Sequence, residues 1–137
     1  MCNWQNRISP YGIGNIQLNA DVFADACNII FQASRQRNKI TYSDLMSQLR
    51  QLNHRKIFRG TIGIILDEVN LQVSSITNPS IYPSAIVVHR GTTEPGPGFW
   101  NVACGLKPPV GIAANRRSVQ LQQYQNDVFN RSWKCNC

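Results

Sequence analysis

Apolar residues recur at intervals of three and four positions in four stretches of the chain, and this spacing predicts four amphipathic helices. The first begins near Asn19, a residue type that caps helix N-termini well. Its inward positions are Val22, Ala26, Ile29, Ile30 and Ala33. The second follows Thr41-Tyr42-Ser43-Asp44, which resembles a capping box with Asp in place of Glu, and runs to about Leu52.

The third predicted helix begins near His54 or Arg55 and separates an apolar face from a polar face. The apolar face consists of Phe58, Ile62, Ile65, Leu66 and Val69. The opposite face carries Lys56, Arg59, Gly60, Gly63 and Asp67. The last helix spans roughly residues 116–133, and its inward positions include Leu121, Tyr124 and Val128.

Between the third and the last helix the pattern changes. The segment "LQVSSIT" (71–77) predicts a short strand, and the β-branched "SAIVVHR" (84–90) predicts a buried one. Two Pro and three Gly in "GTTEPGPGFW" (91–100) predict a loop. Three helices followed by a β-hairpin indicate an α+β fold, a winged helix-turn-helix whose second and third helices form the helix-turn-helix.

The length of 137 residues predicts a single domain. It divides into an irregular N-terminal arm (1–18), the winged-helix core (19–100), a loop (101–115), an extra C-terminal helix (116–133) and a tail (134–137).

The charge is strongly biased, with 14 Lys and Arg against 7 Asp and Glu, a formal net charge of +7. This bias favours an anionic partner such as nucleic acid. No apolar run approaches the roughly 18 residues of a membrane-spanning helix, so no membrane partner is expected. The N-terminus has no apolar signal region, and an odd number of cysteines, five, then indicates reduced thiols and a cytoplasmic location.

Positive charge is densest where the second helix of the helix-turn-helix begins, the part of such a motif that enters the major groove. Arg55, Lys56 and Arg59 lie within about one turn of each other. Arginine and lysine bind phosphate, and arginine also pairs with guanine. Gly60 and Gly63 let the helix approach sugar and phosphate closely, or else let another helix pack against it.

Three motifs resemble the C-terminal DNA-binding domain of the O6-alkylguanine DNA alkyltransferases and alkyltransferase-like proteins. They are "ITYSDL" (40–45), "FRGTIGIIL" (58–66) and "YPSAIVVHRGTTEPGPGFW" (82–100), and the resemblance covers about residues 40–99. It implies that the third helix binds duplex DNA, with Arg59 as the residue that displaces a target nucleotide.

The Pro-Cys-His-Arg motif that holds the nucleophile of that family is missing. Ser84 follows Pro83, and His89 and Arg90 come five and six positions later. Alkyl transfer needs a cysteine activated by a neighbouring base, so no alkyltransferase activity is expected. Base flipping without chemistry, as in the alkyltransferase-like proteins, stays open.

Other candidate chemistry is weaker. Cys104 is expected to be a buried structural cysteine rather than a catalytic residue paired with His89. The terminal Cys135 and Cys137 lack the further ligands that a zinc site needs. His89 is expected to bond within its own turn, whereas Arg90 either contacts phosphate or is solvated. The sequence therefore predicts no catalytic residue, metal or cofactor.

These observations predict a non-enzymatic protein that binds double-stranded DNA through the third helix and a β-wing. The predicted DNA-binding residues are Tyr42, Arg50, Arg55, Lys56, Arg59, Gly60, Gly63 and Arg90. The alternative is a small accessory protein-interaction module, of phage or mobile-element type, whose basic stripe binds an acidic partner protein. Oligomeric state and target site do not follow from the sequence.

Overall fold

The computed structural model describes residues 20–54, 57–92, 94–96, 99 and 114–131. The predicted N-terminal arm and tail lie outside these residues, as do most of the predicted loop at 101–115 and two of the predicted DNA-binding residues, Arg55 and Lys56.

The described part of the chain is α+β and mostly helical, which confirms the predicted class. Its elements are α1 (Ala20–Arg35), β1 (Ile40–Thr41), α2 (Tyr42–Gln51), α3 (Arg59–Ile76), a 3-10 turn (Pro83–Ile86), β2 (Val87–Val88) and α4 (Ala114–Asn130). None of these helices is both long enough and apolar enough to cross a membrane.

The side chain of Thr41 sets the start of α2. Thr41 has extended backbone angles, and its Oγ1 accepts a hydrogen bond from the Asp44 N–H at 3.1 Å, as the predicted capping sequence requires. After α2 ends, Asn53 takes a left-handed conformation, with φ of 71°, in the turn that leads to α3. The two helices α2 and α3, joined by a turn, therefore agree with the local sequence.

The predicted strand at 71–77 is wrong, because α3 continues to Ile76. Val69 and Val73 are both buried, so the helical spacing of apolar positions extends into this segment. Burial along one helix face outweighs the β preference of the Val, Ile and Thr in it. The helix also begins later than predicted, at Arg59.

The predicted β-hairpin is also wrong, because the two short strands run parallel. The register pairs Ile40 with Val87 and Thr41 with Val88. Parallel strands need a long crossover connection, and the chain through α2 and α3 supplies it. Pro83 opens the 3-10 turn, which takes up the first part of the predicted strand at 84–90. The described residues consequently contain no β-wing.

The core lies where α1, α2, α3, α4 and the 3-10 turn meet. Its largest fully buried side chains include Phe23, Ile30, Phe31, Leu45, Leu49, Ile62 and Ile65. Two buried hydrogen bonds fix α4: Ser34 Oγ donates to the Val128 carbonyl at 2.8 Å, and Gln125 Nε2 donates to the Ala85 carbonyl at 3.0 Å. The core thus holds the inner face of α3 and leaves the other face of its first turns exposed.

Candidate nucleic-acid interface

The exposed surface of the first turns of α3 consists of Arg59, Gly60 and Gly63. A Cβ atom built on either glycine has no described neighbour within 4 Å. The packing of another helix against these glycines, one of the two interpretations of the sequence, is therefore not seen among the described residues. The two glycines instead form a smooth strip beside the Arg59 side chain, and we call Arg59, Gly60 and Gly63 the glycine strip.

Arg50 does not lie free on this surface. Its Nη2 donates a hydrogen bond to the Ile57 carbonyl at 2.9 Å and lies 3.8 Å from Met46 Sδ. Ile57 is buried, so the guanidinium connects α2 to the segment that leads into α3. Arg50 therefore helps to position the start of α3, and it also adds a positive charge to this surface.

A pocket of about 260 Å³ opens directly beside the glycine strip. It lies between α2, α3, the 3-10 turn and the segment after β2. Its polar lining includes Tyr42, Arg59, Asp67, Ser84 and His89. The sequence predicts Tyr42 and Arg59 at the interface, but it predicts neither the pocket nor the place of Asp67, Ser84 and His89 in its lining.

Tyr42 forms one wall of this pocket. Its hydroxyl oxygen accepts a hydrogen bond from the Gly96 N–H, and its ring centroid lies 4.9 Å from that of His89. Burial raises the pKa of the Tyr42 hydroxyl; the Gly96 hydrogen bond lowers it, and the charge of Asp67 raises it further. A Cβ atom on Gly96 would lie 2.7 Å from the Tyr42 hydroxyl oxygen, so this close approach requires glycine.

Ser84 contributes a buried hydroxyl to the same pocket. It is 2% exposed, its N–H donates to Asn70 Oδ1 at 3.0 Å, and its Oγ accepts from Asn70 Nδ2 at 2.6 Å. The amide orientation follows from the two bonds together. None of the described residues accepts a hydrogen bond from the Ser84 hydroxyl. This hydroxyl can therefore donate a hydrogen bond to a ligand in the pocket.

Asp67 is the acidic group of the pocket and is half-buried. Burial first, and the neighbouring charge of Glu68 second, raise the pKa of its carboxyl from 3.8 to about 6. No hydrogen bond joins Asp67, His89 and Ser84 to one another, so these three described residues do not form a relay that would activate a serine nucleophile.

The turn after β2 carries Arg90. The His89 N–H donates to the Glu94 carbonyl at 3.0 Å, and the Thr92 N–H donates to the His89 carbonyl at 3.1 Å. His89 thus bonds within its own turn through its backbone, while its ring faces the pocket. Arg90 is exposed and lies outside the pocket lining.

Among the described residues, Cys27 is buried in α1, and no group of three or more potential metal ligands is found. The predicted candidates Cys104, Cys135 and Cys137 lie outside the described residues.

Compared with known proteins, the chain matches no family model, no curated protein and no solved structure.

Proposed function

We propose that this protein binds double-stranded DNA, without catalysis, through the glycine strip and the basic residues that precede it, Arg55 and Lys56. The observation that carries the proposal is the exposed pair Gly60 and Gly63. A glycine inside a helix costs up to about 1 kcal/mol relative to alanine, and no described contact of the fold requires either of them. We therefore attribute both glycines to contact with a partner outside the chain.

Charge complementarity supports duplex DNA as the partner. The net charge is +7, Arg59 is exposed on the strip, and the two cations before it belong to the same stretch of sequence. A helix surface without side chains can approach a sugar-phosphate backbone closely while flanking arginines bind the phosphates. The exposed Arg90, in the turn after β2, would add a phosphate contact in place of the predicted wing.

The pocket suits one nucleotide turned out of the duplex. Proteins that extrude a base hold it by stacking and by hydrogen bonds to its edge. The Tyr42 ring supplies a stacking surface, the Ser84 hydroxyl a donor and the Asp67 carboxylate an acceptor. Arg59, which lines the same pocket, would bind the flanking phosphate. The pocket lacks a cysteine among its described residues, so the proposed event is binding alone.

The test is fluorescence anisotropy with a labelled random duplex at several salt concentrations. We expect Arg59→Ala to weaken binding and to reduce the slope of log affinity against log salt by about one, the value for one lost phosphate contact. Arg37→Gln is the matched control, because Arg37 also carries one charge but is engaged with Asn130 and Phe129 near the end of α4. Equal slopes for the wild type and Arg59→Ala would contradict the assignment of the strip to phosphate.

A second candidate, an acidic protein partner, is favoured by one observation. Leu52 and Phe58 are exposed apolar side chains close in sequence to the basic residues, and protein interfaces combine such groups. Direct titration of a labelled duplex distinguishes the two candidates, since a chain whose basic residues serve an acidic protein need not bind DNA. Absence of duplex binding even at low salt would favour the protein partner.

A further inference from the structure

Phe58 is the most exposed large apolar side chain among the described residues of α2, α3 and the turn between them. It is 58% exposed and stands at the N-cap of α3, immediately before Arg59. Its ring is not part of the buried core. An exposed phenylalanine next to the glycine strip is therefore a second feature that no described core contact of the fold requires.

The choice of phenylalanine also costs helix stability. N-cap positions favour Ser, Thr, Asn or Asp, whose side-chain oxygens accept a hydrogen bond from the first turn, and Phe58 offers no such acceptor. The side-chain hydrogen bond at this cap runs the other way, from the Phe58 backbone N–H to the Thr61 side chain in the first turn, with Oγ1 accepting at 3.4 Å. Residues that break a local preference in this way are typical of functional sites.

The backbone that carries Phe58 is held on both sides. Ile57 before it is buried, and its carbonyl accepts the hydrogen bond from Arg50 Nη2. Arg59 after it begins the regular helix α3. The exposed ring therefore projects from a fixed backbone. A side chain that enters a stack of bases needs such a fixed support.

We infer that Phe58 inserts between neighbouring base pairs of the bound duplex as an apolar wedge. The inference rests on the proposed DNA binding and adds a preference for duplexes that are already weakly stacked. Apolar side chains that enter a base step unstack it partly, at a cost of a few kcal/mol per step, and a mismatched step costs less to open. The preferred partner is therefore duplex DNA with a mismatch or an unpaired base.

The experiment uses the full chain and two labelled duplexes that differ in one mismatched step, each with 2-aminopurine beside that step. Affinity is measured by anisotropy, and unstacking by the increase in 2-aminopurine emission. We expect the wild type to raise the emission and to prefer the mismatched duplex. Phe58→Ala should lose both effects and bind the mismatched duplex about tenfold more weakly, the size of one lost base–aromatic stacking contact.

Ile76→Ala is the matched control, because Ile76 is a similarly exposed apolar residue at the far end of α3. It should behave like the wild type, and helical circular dichroism should be equal for all three proteins. Duplex binding without any rise in emission, or equal behaviour of Phe58→Ala and Ile76→Ala, overturns the wedge and leaves the DNA-binding proposal standing. No duplex binding by the wild type overturns both.

Discussion

Asn70 and Ser84 form a two-point hydrogen-bonded pair across a gap of 14 positions in the chain. Both residues are buried, Asn70 in α3 and Ser84 in the 3-10 turn before β2. The pair thereby connects the helix of the proposed interface to the floor of the pocket.

Removal of the Asn70 amide should destabilise the protein. Asn70→Ala leaves the buried Ser84 N–H without its acceptor, and a buried unsatisfied donor costs about 1–3 kcal/mol. Ser84→Ala keeps that bond and leaves only Asn70 Nδ2 without its acceptor, so it loses one hydrogen bond where Asn70→Ala loses two, and its effect should be smaller. Urea denaturation of both variants measures the difference. A larger loss for Ser84→Ala than for Asn70→Ala would show that the amide is not the centre of the pair.

Stability should depend on pH through Asp67. Its folded-state pKa of about 6 lies above its ordinary value of 3.8, so the folded protein holds a proton between about pH 4 and pH 6 that the unfolded chain has released. Folding stability therefore falls as the pH rises through this window. Above pH 6 the ionised carboxylate remains a constant penalty.

Asp67→Asn removes this penalty and should raise the free energy of unfolding at pH 7 more than at pH 4. The carboxyl is half-exposed, and solvent screening reduces the expected gain to about 1 kcal/mol. Urea denaturation of the wild type and the variant at several pH values measures the difference between them. A difference that does not change between pH 4 and pH 6 would contradict the raised pKa.

Gly96 should tolerate no side chain. In Gly96→Ala the new methyl group would overlap the Tyr42 hydroxyl, and overpacking of this kind costs about 1–3 kcal/mol. The Tyr42 ring, which lines the pocket, would have to move. We expect a lower melting temperature together with weaker binding of a duplex that carries an unpaired base. Tyr42→Phe in the Gly96→Ala background removes the overlapping oxygen and should recover part of the stability.

The helices can be predicted from the sequence where their signals are local. The Thr41 cap, the apolar spacing of α1 and the first half of α3 depend on residues a few positions apart. The predicted strand at 71–77 is wrong because burial of Val73 against the core overrules the local β preference. The predicted hairpin is wrong because the parallel pairing of Ile40 with Val87 is a long-range contact that no local pattern records.

The candidate site shows the same difference between local signals and long-range contacts. Arg59, Gly60 and Gly63 stand out in the sequence because they are neighbours in one helix. The pocket does not, since its walls come from distant segments, such as Tyr42 and Gly96, which are 54 positions apart. The glycines of "EPGPGFW" are visible in the sequence, but the steric reason for Gly96 emerges only when the Tyr42 hydroxyl stands against it.

Gly63→Ala should move stability and DNA binding in opposite directions. Gly63 lies inside α3, and a methyl group added to it would have no described atom within 4 Å, so alanine adds helix propensity without a clash. The free energy of unfolding should rise by up to about 1 kcal/mol. The added methyl group would stand on the strip that we propose meets the sugar-phosphate backbone, and duplex affinity should fall. Urea denaturation and anisotropy on the same sample measure both. A variant that gains stability and binds duplex DNA as well as the wild type would show that Gly63 serves neither the fold nor the proposed interface.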